Sequence, residues 1–375
     1  GRFLVEFDLD GSRDDPVTFL LPEELELVWA GNIGNDISFY GDIILLQKDF
    51  GGEDSVSWAT VKAWLQFQSL FGGENKFNLR LGTVGTQTMG LFTARDANFY
   101  ATHYYLYTSR MVPKPNAGEA GLASFKGNNY SPAPQMGIEL NGIGKRWSYA
   151  VGVVNGNLEV PAGMPPPSDV SMEGMGRSMG TKDFYTQLAY KIGGSPFDRS
   201  GERGAESLTT ESQFWRDDSV TFSLYGYTGT AHIETVDLDG TEIVEEDDFW
   251  RLGLSAQWQY KDITIGGAYF AGEDDNPYGS LSDESIDVSS WHVEVLGFAY
   301  PWLIPFIRYE GVDFDLPNDV PGLNPEQDLE RIMGGAKIMI RPNVFCALEY
   351  GYYTKGAELE EGFDQTLFVL LSASF

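Results

Sequence analysis

The side chains best suited to nucleophilic or metal chemistry are few and scattered. The histidines are His103, His232 and His292, and Cys346 is the lone cysteine. This set provides no zinc-ligand spacing, no disulfide framework and no C-x-x-C-H haem attachment. A hydrolase needs a nucleophile held against a base. His292 has Glu294 two residues on, facing the same way along an extended chain, but no serine is fixed beside it. The runs Asp8-Leu-Asp-Gly11 and Asp237-Leu-Asp-Gly240 begin like calcium loops. Neither continues to a bidentate Glu at the twelfth position. Met164, Met172, Met175 and Met179 crowd one segment beside Pro165–Pro167. Thioethers bind Cu(I), and they serve equally as adaptable packing. No enzyme and no cofactor is expected from these residues.

Charge is the dominant chemistry. Asp and Glu number 55 against 25 Lys and Arg, a net charge of −30 in 375 residues. Such a chain repels nucleic acid, so no nucleic-acid partner is expected. An aromatic content of 14% excludes a solvated coil. No run of 18 apolar residues is present, so no transmembrane helix is expected. A leader peptide is expected to be absent or removed, because no charged region and apolar core precede the first extended segment.

The elements that must hold these charges read at period 2. Alternation recurs over roughly ten residues, the length of a tilted strand crossing a membrane. Sixteen segments follow this rule: 2–9, 24–32, 36–47, 56–69, 76–84, 135–142, 146–155, 182–192, 219–228, 249–260, 262–271, 288–300, 302–310, 329–341, 343–354 and 365–375. In 249–260, Trp250, Leu252, Leu254, Ala256 and Trp258 alternate with Arg251, Gly253, Ser255, Gln257 and Gln259. A soluble antiparallel sandwich alternates too, with the apolar face inward.

The connections discriminate. Links after odd segments are long, among them 85–134, 156–181, 229–248, 272–287 and 311–328, while most links after even segments are tight turns. Long loops on one side, short turns on the other and an even strand number are the signature of an outer-membrane barrel. Trp29, Trp147, Trp250, Trp258, Trp291, Tyr309, Tyr350 and Tyr352 near segment ends suit two interfacial girdles. Leu367, Val369, Leu371, Ala373 and Phe375 form an apolar stripe ending in an aromatic. It looks like the C-terminal assembly signal of such barrels, with Phe375 the residue read. The expected fold is all-β: one sixteen-stranded antiparallel transmembrane β-barrel over 1–375, in the bacterial outer membrane.

Within that frame the charges take places. The loops 229–248, 272–287 and 311–328 hold 19 carboxylates and no Lys or Arg. They read either as a solvated anionic surface or as ligands for divalent cations that bridge to lipopolysaccharide or between loops. The inner wall is expected to carry Lys62, Arg251, Glu294, Arg308, Glu310, Arg331, Lys337 and Glu349, with Arg146, Lys191 and Glu139 also on it. Rings of fixed charge select ions, and cross-strand ion pairs that hold a wall look the same in sequence. A connection as long as 85–134 needs a reason. It is expected to fold into the lumen as a constriction, where Arg95, Arg110 and Lys114, with Arg80 before it, place positive charge.

Two stretches carry a resemblance. Phe77-Asn-Leu-Arg-Leu-Gly82 leads into the aromatic segment with Arg95 and Arg110. Gly137-Ile-Glu-Leu-Asn-Gly142 is followed by Trp147-Ser-Tyr-Ala-Val-Gly-Val-Val-Asn-Gly-Asn157 and Lys182-Asp-Phe-Tyr-Thr-Gln-Leu-Ala-Tyr190. Together they resemble the phosphate-selective porin superfamily of Gram-negative outer membranes. The resemblance covers roughly 76–192 and implies a trimeric, anion-permeable pore with sixteen strands. Lys-rich loops of the phosphate-selective members are missing here. Related barrels sheathe multi-haem cytochromes, so two functions stand open. One is a porin passing small hydrophilic solutes or ions by diffusion, weakly anion-favouring. The other is a scaffold enclosing a cytochrome partner. Either implies contact with outer-membrane lipid and lipopolysaccharide, and the first a homotrimer.

Overall fold

The structure is a computed structural model that describes residues 2–8, 17–34, 36–47, 59–72, 74–84, 135–155, 182–197, 217–236, 242–277, 284–316, 328–341, 344–356 and 365–373. The described residues form strands β1 (Arg2–Asp8), β2 (Val17–Ile33), β3 (Ile37–Gln47), β4 (Ala59–Phe67), β5 (Asn78–Val84), β6 (Gln135–Ile143), β7 (Trp147–Asn155) and β8 (Lys182–Gly193). They continue through β9 (Asp217–Val236), β10 (Glu242–Lys261), β11 (Ile263–Asp274), β12 (Ile286–Gly297), β13 (Leu303–Asp315), β14 (Leu329–Arg341), β15 (Val344–Lys355) and β16 (Gln365–Ala373). Each strand pairs antiparallel with its sequence neighbours, and β1 pairs with β16 from Arg2–Ser372 to Asp8–Thr366, which closes the sheet into a barrel. Closure leaves no strand edge, the condition for a sheet to stand in lipid.

Burial settles which face looks out. On β10, Leu252, Leu254 and Trp258 are 45%, 54% and 49% exposed, while Arg251 between them is 2% exposed. β8 repeats the alternation, with Phe184, Leu188 and Tyr190 out and Asp183, Gln187 and Lys191 in. A water-soluble sandwich would bury the apolar stripe. This barrel turns it outward. Trp250, Tyr350 and Tyr352 are exposed toward the end with the long connections, and Trp258, Tyr260, Tyr300 and Trp302 toward the tight-turn end. Trp258 stacks on Tyr260 and Tyr300 on Trp302, at ring separations of 6.0 and 5.6 Å. Trp250 and Trp258 stand about 26 Å apart along their strand at 3.3 Å per residue. Tilted by roughly 35–45°, that span rises about 20 Å, most of the roughly 25 Å of an outer-membrane apolar band.

The abundance of glycine has a packing cause. Gly152 lies opposite Tyr185, Gly253 opposite Phe270 and Gly311 opposite Trp291. A Cβ at these glycines would come within 2.2, 2.4 and 3.0 Å of the facing ring. Each glycine is thus a notch for an aromatic on the next strand. At the β2–β3 turn, Gly34 adopts φ 66°, a conformation open to glycine in a tight hairpin.

Several expected bounds change. The connection expected at 229–248 is mostly strand, because β9 runs to Val236 and β10 starts at Glu242, pairing in register out to Val236–Glu242. Backbone ladder bonds hold such a projection beyond the lipid without needing an apolar face. Likewise β11 runs to Asp274 and β13 to Asp315, and the segment expected at 288–300 ends at Gly297.

Candidate functional site

The inner wall is the surface a solute would meet, and the barrel builds it from every second residue. On β5, Arg80 is gripped on three sides. Its Nε and Nη2 donate to Gln66 Oε1 on β4 at 3.0 and 2.7 Å. Its Nη1 lies 3.4 Å from Glu139 Oε1 on β6. Its guanidinium lies 4.4 Å from the Trp64 ring centroid, and Trp64 stacks on Tyr40 of β3. Glu139 also accepts from Asn141 Nδ2 at 2.7 Å and from the Tyr185 hydroxyl at 2.5 Å. The positive charge of Arg80 is therefore met by a buried carboxylate.

A second cluster spans β12 to β15. Glu310 Oε1 accepts from Arg331 Nε at 2.5 Å and stands 3.4 Å from Arg308 Nη2. Glu294 lies 4.0 Å from Arg308 Nη1. Arg308, Glu310 and Glu349 are fully buried, and His292 lies close by on β12. Lys337 Nζ sits 3.8 Å from the centroid of Phe345. Inward apolar residues share this arc: Phe306 with Met333, and Ala347 with Leu370. A third cluster joins Arg251 Nη2 to Asp274 Oδ2 at 2.5 Å on β10 and β11.

Arg251, Glu294, Arg308, Glu310, Arg331, Lys337 and Glu349 face inward on their strands, as does Arg80, which the sequence put with the constriction. Lys62 lies directly opposite Asp42 in the β3–β4 register. Arg146 is displaced from the wall: it precedes β7, and its Nη1 donates to the Gly193 and Gly194 carbonyls at the tight-turn end. Lys191 reaches the same end, 2.5 Å from Asp217. Arg95, Arg110 and Lys114 of the expected constriction, and Phe375, lie outside the described residues. Arg80, Arg251 and Arg331 each pair with a carboxylate on a neighbouring strand, which is the arrangement of cross-strand ion pairs.

Composition had assigned Asp247 and Asp274 to acidic loops. They are strand residues facing inward, and both are fully buried. Positions 247, 249, 251 and 253 form one buried face of β10. At the outer rim, Asp328 accepts from Lys355 Nζ at 2.7 Å. Burial pushes the Asp328 carboxyl up, but this bond, a second from the Phe314 N–H and the lysine charge win and hold it below the usual range. Among the described residues no group of three or more His, Cys, Asp or Glu is arranged to hold a metal.

No family model matches the chain, and no curated protein matches it. Solved structures do. The trimer form of the outer-membrane protein OmpT of Vibrio cholerae is 12% identical, with a TM-score of 0.55 over 100% of this chain and 96% of that one. OmpF of Salmonella typhi, in complex with daunomycin, is 11% identical with a TM-score of 0.54 over 100% and 95%. The outer-membrane channel DcaP of Acinetobacter baumannii is 10% identical with a TM-score of 0.53 over 100% and 95%. The fold is a porin-type barrel. The likeness runs over the whole chain, and at these identities it speaks for architecture.

Proposed function

We propose that this chain is a porin of the bacterial outer membrane, a sixteen-stranded barrel through which small hydrophilic solutes and ions pass by diffusion. One observation carries the reading: the closed sheet turns its apolar stripe outward and its ion pairs inward. That inversion suits lipid outside and water inside. The full-length likeness to outer-membrane barrels supports it. Passage needs no energy coupling and no cofactor, and the chain is not an enzyme.

The finer reading rests on the sequence. Segment 85–134 narrows the lumen and brings Arg95, Arg110 and Lys114 to the narrowest point, giving a weak anion preference. Kinship with the phosphate-selective porins draws on residues 76–192 alone. The protein assembles as a homotrimer in contact with lipid and lipopolysaccharide, an inference supported by the trimer form of OmpT. The test is conductance of the purified protein in planar bilayers. Discrete, ohmic steps are expected, in groups of three. Purified, folded protein that inserts and gives no steps would overturn the channel reading.

A further inference from the structure

The loop-bearing end of the inner wall holds a buried charge that the wall does not balance. Asp247 on β10 and Asp274 at the end of β11 are both fully buried. The strands keep pairing past them, with the Asp275 N–H donating to the Asp248 carbonyl at 2.9 Å. Asn276 closes the corner: its main-chain N–H donates to Asp247 Oδ1 at 2.9 Å. Arg251 takes Asp274 Oδ2 at 2.5 Å. Arg251 thus brings one positive charge to two carboxylates, and the exposed Asp275 beside them adds more negative potential.

Three oxygens remain. Asp247 Oδ2, Asp274 Oδ1 and the Asn276 side-chain Oδ1 are buried without a hydrogen-bond partner. A buried carboxylate oxygen left without a donor is costly. A proton or a cation can resolve it. A proton on one carboxyl supplies a single donor and leaves another of the three oxygens bare. A hard divalent cation takes carboxylate and amide oxygens alike, and water completes its shell.

We propose that Asp247, Asp274 and Asn276 form a binding site for a divalent cation of the calcium class, on the inner wall at the loop-bearing end. Arg251 positions Asp274, leaving Oδ1 for the metal. The cation ties β10 to β11 where the β9–β10 hairpin rises beyond the aromatic girdle. It also cancels the local excess of negative charge at the mouth.

The experiment titrates CaCl2 alone into the folded, full-length protein after treatment with chelator, by calorimetry at neutral pH. A single saturable site is expected. Asp247→Asn should weaken it at least tenfold, whereas Asp315→Asn, on the outward face of β13, should leave it unchanged. Asn276→Ala, at a residue partly open to solvent, should also weaken it about tenfold and keeps the test decisive if the buried variant does not fold. Absence of saturable binding to the wild type overturns the proposal. So does binding lost with Asp315→Asn and retained with Asn276→Ala, which would mean diffuse association with the outer carboxylates. A wild type indifferent to calcium, with Asp247→Asn more heat-stable than it, overturns the proposal in favour of a shared proton. None of these readouts depends on conduction.

Discussion

Glu310 shows how the wall is held at the scale of single residues. It is fully buried, and it answers two guanidiniums, Arg308 on its own strand and Arg331 on the next. Removing its charge takes away the nearer of two carboxylates beside Arg308, the other being Glu294 at 4.0 Å. Breaking a buried pair from one side typically costs about 3–5 kcal/mol, because the other charge stays behind. Glu310→Gln keeps the shape and removes the charge. It is expected to lower stability by about 3 kcal/mol in urea unfolding from lipid vesicles. A loss below about 1 kcal/mol would mean that water reaches Arg308 freely and that the cluster lines an open lumen. The same variant separates the two readings of wall charge. If these residues hold the wall rather than select ions, Glu310→Gln changes stability more than it changes reversal potential.

At the scale of the strand, alternation is the property under test. Leu254 sits midway between Trp250 and Trp258 on the outward face of β10, so it lies near the middle of the apolar band. Leu254→Arg should cost roughly 2–4 kcal/mol, while Gln257→Ser on the opposite face should be nearly neutral. Labelling cysteines at both positions with a water-soluble reagent checks the faces independently: 257 should react and 254 should not. Strands such as 329–341 were legible to the residue because lipid outside and charge inside impose period 2 on their side chains. The extensions of β9 and β10 were not, because beyond the lipid Glu245, Glu246 and Asp248 need no apolar alternation and backbone pairing alone continues the strand. Partner choice was illegible for another reason. Arg80 meets Glu139 and Gln66 through the stagger of three strands, which no local pattern encodes. The apolar face, by contrast, could be read from any one strand, and the pattern of long and short connections told it from the inward face of a soluble sandwich.

At the scale of the whole molecule, closure and conduction are separate questions. β16 closes the barrel by pairing with both β15 and β1. Phe375 comes just after it, so its expected role is in recognition during insertion. Deleting Phe375 should leave protease-sensitive, unassembled chain in the periplasm, and normal outer-membrane yield would refute that role. Selectivity turns on which charges act where the path is narrowest. The described guanidiniums of the wall supply little positive field, since Arg80, Arg251, Arg308 and Arg331 each lie against a carboxylate. The outer carboxylates are numerous. At about 0.15 M salt the Debye length is roughly 8 Å, so those farther out are muted. Charges in a narrow aqueous path between low-dielectric walls are focused instead. Arg95, Arg110 and Lys114, if segment 85–134 enters the lumen as proposed, therefore outweigh a net charge of −30. The expected result is weak anion preference in reversal potentials, growing with salt as the mouth is screened. Changing Arg95 and Arg110 together to Ser should move the preference toward cations. A strongly cation-selective wild type, unaltered by that double change, would mean that the outer carboxylates govern the path and that 85–134 does not line it.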